Sequence, residues 1–362
     1  MPVATMRKRS AAEVADWYAD GMRGARYEAA QVPADVSLLD AYTQAARSDR
    51  PRQERLPALT TSSDPDGIVG ALAGMVTVAV WQQHRIVYDM DPDLWAELRT
   101  TELDAVIPSG LLHRLPHANP FVALPEPVVA DMAGDGTMIT GGFFITGWTR
   151  HPDTETPLLV STHSPAAGGN LALTFVATFE TTPGVPLRID GRLRLGFLTV
   201  RLNSSVAADM TLEQMIDGGL KDPEDADVWY AGTTGPVLIP QAMTALTYLC
   251  ATNADLRPLP APVNARRRTG TTSRRKPVKV ITVGYTVGAA LRAWRRREAA
   301  RTAGHAGVEV RPHLRRAHFH TFLAGPGRSE RRVKLLPPIP VNADGDATRT
   351  TNIPVPATTR PA

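Results

Sequence analysis

The stretch 137–149, TMITGGFFITGWT, and the stretch 170–181, NLALTFVATFET, are runs of β-branched and aromatic residues. Together with PLLVSTHS (157–164) and RLGFLTVRLN (194–203) they make four strand candidates punctuated by Gly, Pro and Asp. Such texture between Thr137 and Leu202 predicts an antiparallel β meander in the middle of the chain. Working outward, the neighbouring segments decide whether that meander stands alone or is packed by helices.

Upstream, IPSGLLHRLPHANPFVALPEP (107–127) contains five prolines and reads as an extended surface loop. Before it, Asp91-Pro92 has the chemistry of a helix start, an acidic cap followed by proline at the first position, so DPDLWAELRT (91–100) predicts a short helix. RIVYDMD (85–91) predicts a strand, and the small-residue-rich apolar segment from Ile68 to Gln83 is too long for a strand and predicts a buried helix. Further back, Ser10 is positioned to cap a helix running to about Gln31, and a second short helix is expected from Asp35, after Pro33.

Downstream, helices are expected at 211–220 and from Pro236 to about Leu256. After the polar basic stretch RRRTGTTSRRKP (266–277), VKVITVGYTV (278–287) predicts a strand and GAALRAWRRREAARTA (288–303) a helix with an arginine-rich exposed face. The expected fold class is therefore α+β: a helical N-terminal part, an antiparallel β meander in the middle, and a basic strand-helix-ribbon module at the C-terminus. The corresponding division is an acidic α+β recognition body over 1–263, a basic module over 264–342 and a disordered Thr/Pro/Ala-rich tail over 343–362.

Charge supports that division. The formal net charge of +4 conceals 19 Lys and Arg against 31 Asp and Glu from Met1 to Ala265, and 19 against 3 from Arg266 to Lys334. A basic block this steep suits a polyanionic partner, RNA above all, or else the acidic body of the same chain. Arg292, Arg295 and Arg296 crowd one helix, and such a density of like charge opposes helix formation unless something anionic lies against it.

The single cysteine, Cys250, lies in the apolar run LTYLC, which excludes an intramolecular disulfide and fits a buried thiol in a reducing compartment. The early positive charge is followed by no apolar leader segment, and no apolar run reaches the ~18 residues of a membrane span, so a cytoplasmic protein with no membrane partner is expected.

The densest candidate site is RPHLRRAHFHTFLAGPGRSERRVKLLPPIPVN (311–342). It gathers Arg311, His313, Arg315, Arg316, His318, His320, Arg328, Arg331, Arg332 and Lys334. If the segment around His318 is extended, period two sets His318 and His320 on one face and Phe319 on the other. Gly325-Pro326-Gly327 supplies a tight turn that folds the His-bearing arm onto the Arg-bearing arm. Imidazoles invite Zn²⁺, but fixed guanidinium charge and a shortage of anionic ligands argue against a metal. Guanidiniums that fork onto phosphates, with imidazoles as donors or stacking faces, are the expected chemistry, and no metal or cofactor is expected. No G-x-S-x-G, H-E-x-x-H, Walker or G-x-G-x-x-G pattern is present to support a standard hydrolase or nucleotide enzyme.

The same run, R-P-H-L-R-R-A-H-F-H, then G-P-G-R-S-E-R-R-V-K, then P-P-I-P-V-N, resembles the C-terminal signature of a family carried by phages and plasmids, the anti-CRISPR proteins directed at the type V-A effector nuclease. Upstream, LLHRLPHANPFVALPEP is similar to that family's Leu-Pro-rich segment. What the resemblance implies is a non-enzymatic inhibitor. It would recognise a nascent protein chain, the CRISPR effector in the named class, and promote loss of the mRNA being translated, with the basic module facing RNA or the ribosome. Two other readings compete. One is a metal-independent RNA nuclease in which His313, His318 or His320 moves protons beside Arg328 or Lys334. The other is a DNA-binding plasmid or phage maintenance protein using the arginine helix in the major groove.

Overall fold

The computed structural model of the protein describes residues 10–16, 18–19, 65–102, 104–108, 110–132, 136–150, 157–160, 172–178, 180–182, 185–186, 188–189, 192–193, 197–203, 210–211, 213–214, 235–259, 276–302, 313–336 and 339–341. The expected helix from Asp35, the basic stretch 266–275 and the tail after Asn342 lie outside them.

The helices are α1 (residues 11–16), α2 (Pro65–His84), α3 (Pro92–Leu98), α4 (Gly235–Cys250) and α5 (Tyr285–Thr302). The principal strands are β1 (Ile86–Met90), β2 (Phe121–Met132), β3 (Gly136–Arg150), β4 (Ala172–Thr178), β5 (Phe197–Asn203), β6 (Leu256–Pro258), β7 (Lys279–Val283), β8 (His318–Ala324) and β9 (Glu330–Leu336). The main sheet runs β5-β4-β3-β2-β1-β7-β6.

From β2 to β5 the neighbours are antiparallel, which is the expected meander. The other half is different. β1 pairs parallel with β2 on one side and with β7 on the other, Tyr88 lying level with Val122 and Ile281. All but one residue of β1 are buried, the pattern of a central strand covered on both faces. On one face Trp81 of α2 meets Phe144 edge to face at 5.3 Å, and Tyr18 beyond α1 meets Phe121 at 6.0 Å. On the other, Ile86, Tyr88 and Met90 join Leu94, Met243, Leu246, Leu249, Val287 and Leu291 from α3, α4 and α5 in the principal core. The mixed α/β fold thus follows the expected class, with the parallel centre as an addition.

Local chemistry explains the helix starts. Ser10 and Glu13 form a reciprocal capping box: Ser10 N donates to Glu13 Oε2 at 2.8 Å and Glu13 N to Ser10 Oγ at 3.3 Å. Thr211 and Gln214 do the same at 2.9 and 3.1 Å, opening the expected helix at 211–220, of which only 213–214 are described as helical. Asp91 caps α3, accepting from Asp93 N and Leu94 N, with Pro92 at the first position. Asp255, almost wholly buried, accepts from Thr286 N at the start of α5.

Two expectations need correction. The proline-rich segment 107–127 is not wholly a loop, since Phe121 begins the long strand β2. Its prolines at 125 and 127 fall where the β2–β3 register shifts between Ala123 and Val128, a place where the ladder already skips bonds. Nor does the basic segment 264–342 stand apart from the body: β7 is inserted beside β1, and Ala317, Phe319, Val333 and Leu335 belong to the principal core. Charge describes a surface, whereas apolar residues decide which segments share a core.

Candidate nucleic-acid interface

The predicted turn and the two arms are present. β8 and β9 form an antiparallel ribbon with Phe319 opposite Leu335, His320 opposite Lys334, Phe322 opposite Arg332 and Leu323 opposite Arg331. Gly325 (φ 76°), Gly327 (φ 61°) and Arg328 (φ 55°) take left-handed backbone at the tip, where Arg328 N donates to Gly325 O at 3.1 Å.

Because opposed residues share a face, the ribbon has two chemically distinct sides. The inner side carries Phe319 with Leu335 and Thr321 with Val333, and Phe319, Val333 and Leu335 are buried. The outer side carries His318, His320, Phe322, Arg332 and Lys334. Its base is tied to the turn after α4: Asn253 Nδ2 donates to Leu335 O at 2.7 Å, Leu335 N donates to Asn253 Oδ1 at 3.0 Å, and Thr252 N donates to Val333 O at 2.9 Å. One asparagine side chain here supplies the backbone pairing that a neighbouring strand would give, so the ribbon projects at a fixed angle.

On the outer side the Lys334 ammonium lies 5.3 Å from the centroid of the Phe322 ring. Arg332 bonds Glu330 Oε2 through Nε at 3.1 Å and a terminal nitrogen at 2.6 Å. That guanidinium holds the Glu330 carboxyl below its usual range. His320 is exposed and His318 half-buried, on the face where period two placed them.

The other expected contacts divide. Arg316 is exposed just before the ribbon, Arg328 is exposed at its tip, and Arg331 is exposed on the inner side opposite Leu323. His313 and Arg315 lie in a short strand paired antiparallel with Ile339–Val341, described in backbone only. Arg311 lies outside the described residues. Arg296 is exposed on α5.

Arg292 and Arg295, however, face inward onto α3. Arg292 bonds Asp91 Oδ1 and Oδ2 at 3.0 and 2.8 Å and Asp93 Oδ2 at 2.7 Å. Arg295 bonds Asp93 and, at 2.8 Å, Glu97. The anion that offsets the crowded charge of α5 is the acidic body of the same chain, and these two side chains are occupied as the chain stands. Its own side-chain bonds to Asp91 and Asp93 raise the Arg292 pKa further.

Sequence reasoning missed Phe322. The signal was available: the period that puts His318 and His320 together puts Phe322 with them.

Away from the ribbon, Tyr88 hydroxyl and His117 Nδ1 are 2.8 Å apart, and burial drives the Tyr88 phenol well above its ordinary value. Burial also pushes the Cys250 thiol up to about 12, with Arg114 partly opposing it. A folded-state pKa above the unfolded one contributes stability that is intact below about 9 and is lost as pH rises toward about 12. The folded protein is therefore expected to leave Cys250 unreacted with a thiol-specific chromogenic reagent at pH 8 and to react with one equivalent in denaturant. A Cys250→Ala variant should show a shallower loss of stability between pH 9 and 12.

Among the described residues no group of three or more His, Cys, Asp or Glu is placed to hold a metal ion, and no helix is long and apolar enough to cross a membrane.

No curated protein matches the chain. Among solved structures, the crystal structure of AcrVA2 aligns with a TM-score of 0.47 at 15% identity, over 91% of this chain and 94% of that one. The family model AcrVA2-like, described as the anti-CRISPR type V subtype A2 family, matches residues 88–343, from β1 through the ribbon. The chain belongs to the anti-CRISPR type V subtype A2 family.

Proposed function

We propose that this anti-CRISPR protein acts on the synthesis of a type V effector rather than on the finished enzyme. In this reading it recognises the effector's nascent chain and lowers the mRNA being translated, without catalysis of its own, and its ribbon faces RNA or the ribosome. Family membership supports the inhibitor and a CRISPR-related partner. The observation that carries the RNA side is the one-sided chemistry of the ribbon, with His320, Arg332 and Lys334 on the face turned away from the core. Protein surfaces built for phosphate contact concentrate such donors on one side, where they displace counterions together.

The test is binding of the purified chain to labelled single-stranded RNA across a salt series, beside a variant with the outer-face cations Arg332 and Lys334 changed to alanine. Each phosphate contact adds about 0.7 to the slope of log affinity against log salt for single strands, so the double variant is expected to flatten the slope by roughly 1.4. RNA recovered intact after prolonged incubation accords with the non-catalytic reading. No binding at moderate salt by the wild type would end the RNA half of the proposal and leave the basic face to a protein partner.

A further inference from the structure

We infer that the outer face of the β8–β9 ribbon is a stacking platform for an unpaired base of single-stranded RNA, with Phe322 as the stacking surface and His320, Lys334 and Arg332 around it for the adjoining phosphates. This rests on the RNA-facing reading of the same ribbon and adds the form of nucleic acid it takes.

Phe322 has no part in the core that anchors the ribbon. Phe319, Val333 and Leu335 fill that role from the opposite side, and Phe322 is absent from the principal core. A large aromatic on the outward side of a two-stranded ribbon, level with Arg332 and diagonal to Lys334, is surrounded by donors at the about 7–8 Å spacing of diagonal neighbours. The Lys334 ammonium, 5.3 Å from the ring centroid, marks the ring as a surface that already draws a flat or cationic partner. A half-buried ammonium–ring contact is weaker than base–aromatic stacking, so an incoming base can take the ring while Lys334 turns to a phosphate.

Glu330 gives the platform a direction. Its carboxylate pairs with Arg332 at the tip end and offsets part of that guanidinium's charge, so the RNA backbone is favoured along the His320–Lys334 end. Duplex RNA offers no free base face, because its bases are stacked on one another.

The experiment uses the full chain and single-stranded RNA carrying 2-aminopurine, whose emission falls when it stacks, alongside the same sequence as a duplex. Wild type, Phe322→Leu, Phe322→Trp and Lys334→Ala are compared, with thermal melts to confirm folding. The wild type is expected to prefer single-stranded RNA and quench the probe. Phe322→Leu should lose roughly tenfold in affinity and most of the quenching with an unchanged salt slope, whereas Phe322→Trp keeps both. Lys334→Ala should keep the quenching and reduce the salt slope by about 0.7.

Wild-type affinity and quenching in Phe322→Leu, or equal binding of duplex and single strand, would overturn the platform while leaving RNA binding in place. A wild type that binds neither RNA but cosediments with ribosomes would overturn both in favour of a protein-facing ribbon.

Discussion

Replacing Asp91 with alanine is expected to lower the unfolding free energy by about 3 kcal/mol, measured by urea denaturation. The carboxylate does two jobs at once. It caps α3 through Asp93 N at 2.9 Å and Leu94 N at 3.3 Å, and losing an acidic cap costs about 1 kcal/mol. It also receives Arg292 on both oxygens, from a position only 7% exposed. Stranding a fully buried partner costs about 3–5 kcal/mol, but Arg292 is 33% exposed and keeps Asp93 at 2.7 Å, which reduces that share to about 2 kcal/mol. Asp91→Asn retains a good cap and loses the charge, and should recover about 1 kcal/mol. Arg292→Met in the Asp91→Ala background should cost less than the sum of the single changes, because the stranded cation is gone. A single-variant loss below about 1 kcal/mol would mean that Leu94, Val287 and Leu291 hold α3 to α5 without the ion pair.

That ion-pair arrangement shows where sequence reading succeeded and where it stopped. Asp91-Pro92 was legible as a helix start because capping is a local interaction among four residues. The strands of the meander and the apolar helix α2 were legible for the same reason: period and composition are carried within each segment. The ribbon was legible because a Gly-Pro-Gly turn and two arms lie within thirty residues. The parallel centre was not, since β1 at 86–90 and β7 at 279–283 meet across most of the chain and neither carries a mark of the other.

Charge behaved likewise. The basic block was visible as a sum, and its imbalance pointed to RNA or to the acidic body of the same chain without saying which arginine meets which. The structure divides it by geometry: Arg292 and Arg295 are taken by Asp91, Asp93 and Glu97, while His320, Arg332 and Lys334 share the outward face of the ribbon. Which carboxylate a given arginine meets depends on how α5 is set against α3, and no local pattern records that.

Gly284→Ala is expected to cost about 3–4 kcal/mol, because it combines two faults at one position. The residue turns the chain from β7 into α5 at φ 79°, where a side chain costs about 1–2 kcal/mol. An added Cβ would also stand 2.1 Å from Leu94 Cδ2, and Leu94 is fully buried, so overpacking adds about 1–3 kcal/mol. Gly288, one turn later, separates the two causes. Its backbone is ordinary helix, and alanine there would gain about 1 kcal/mol of helix propensity. Its Cβ, however, would fall 1.9 Å from Asp91 Oδ1. Gly288→Ala is therefore expected to destabilise despite better propensity, and to do so less in an Asp91→Ala background, where the clashing carboxylate is absent. A stabilised Gly288→Ala would place α5 farther from Asp91 and release Arg292 from it.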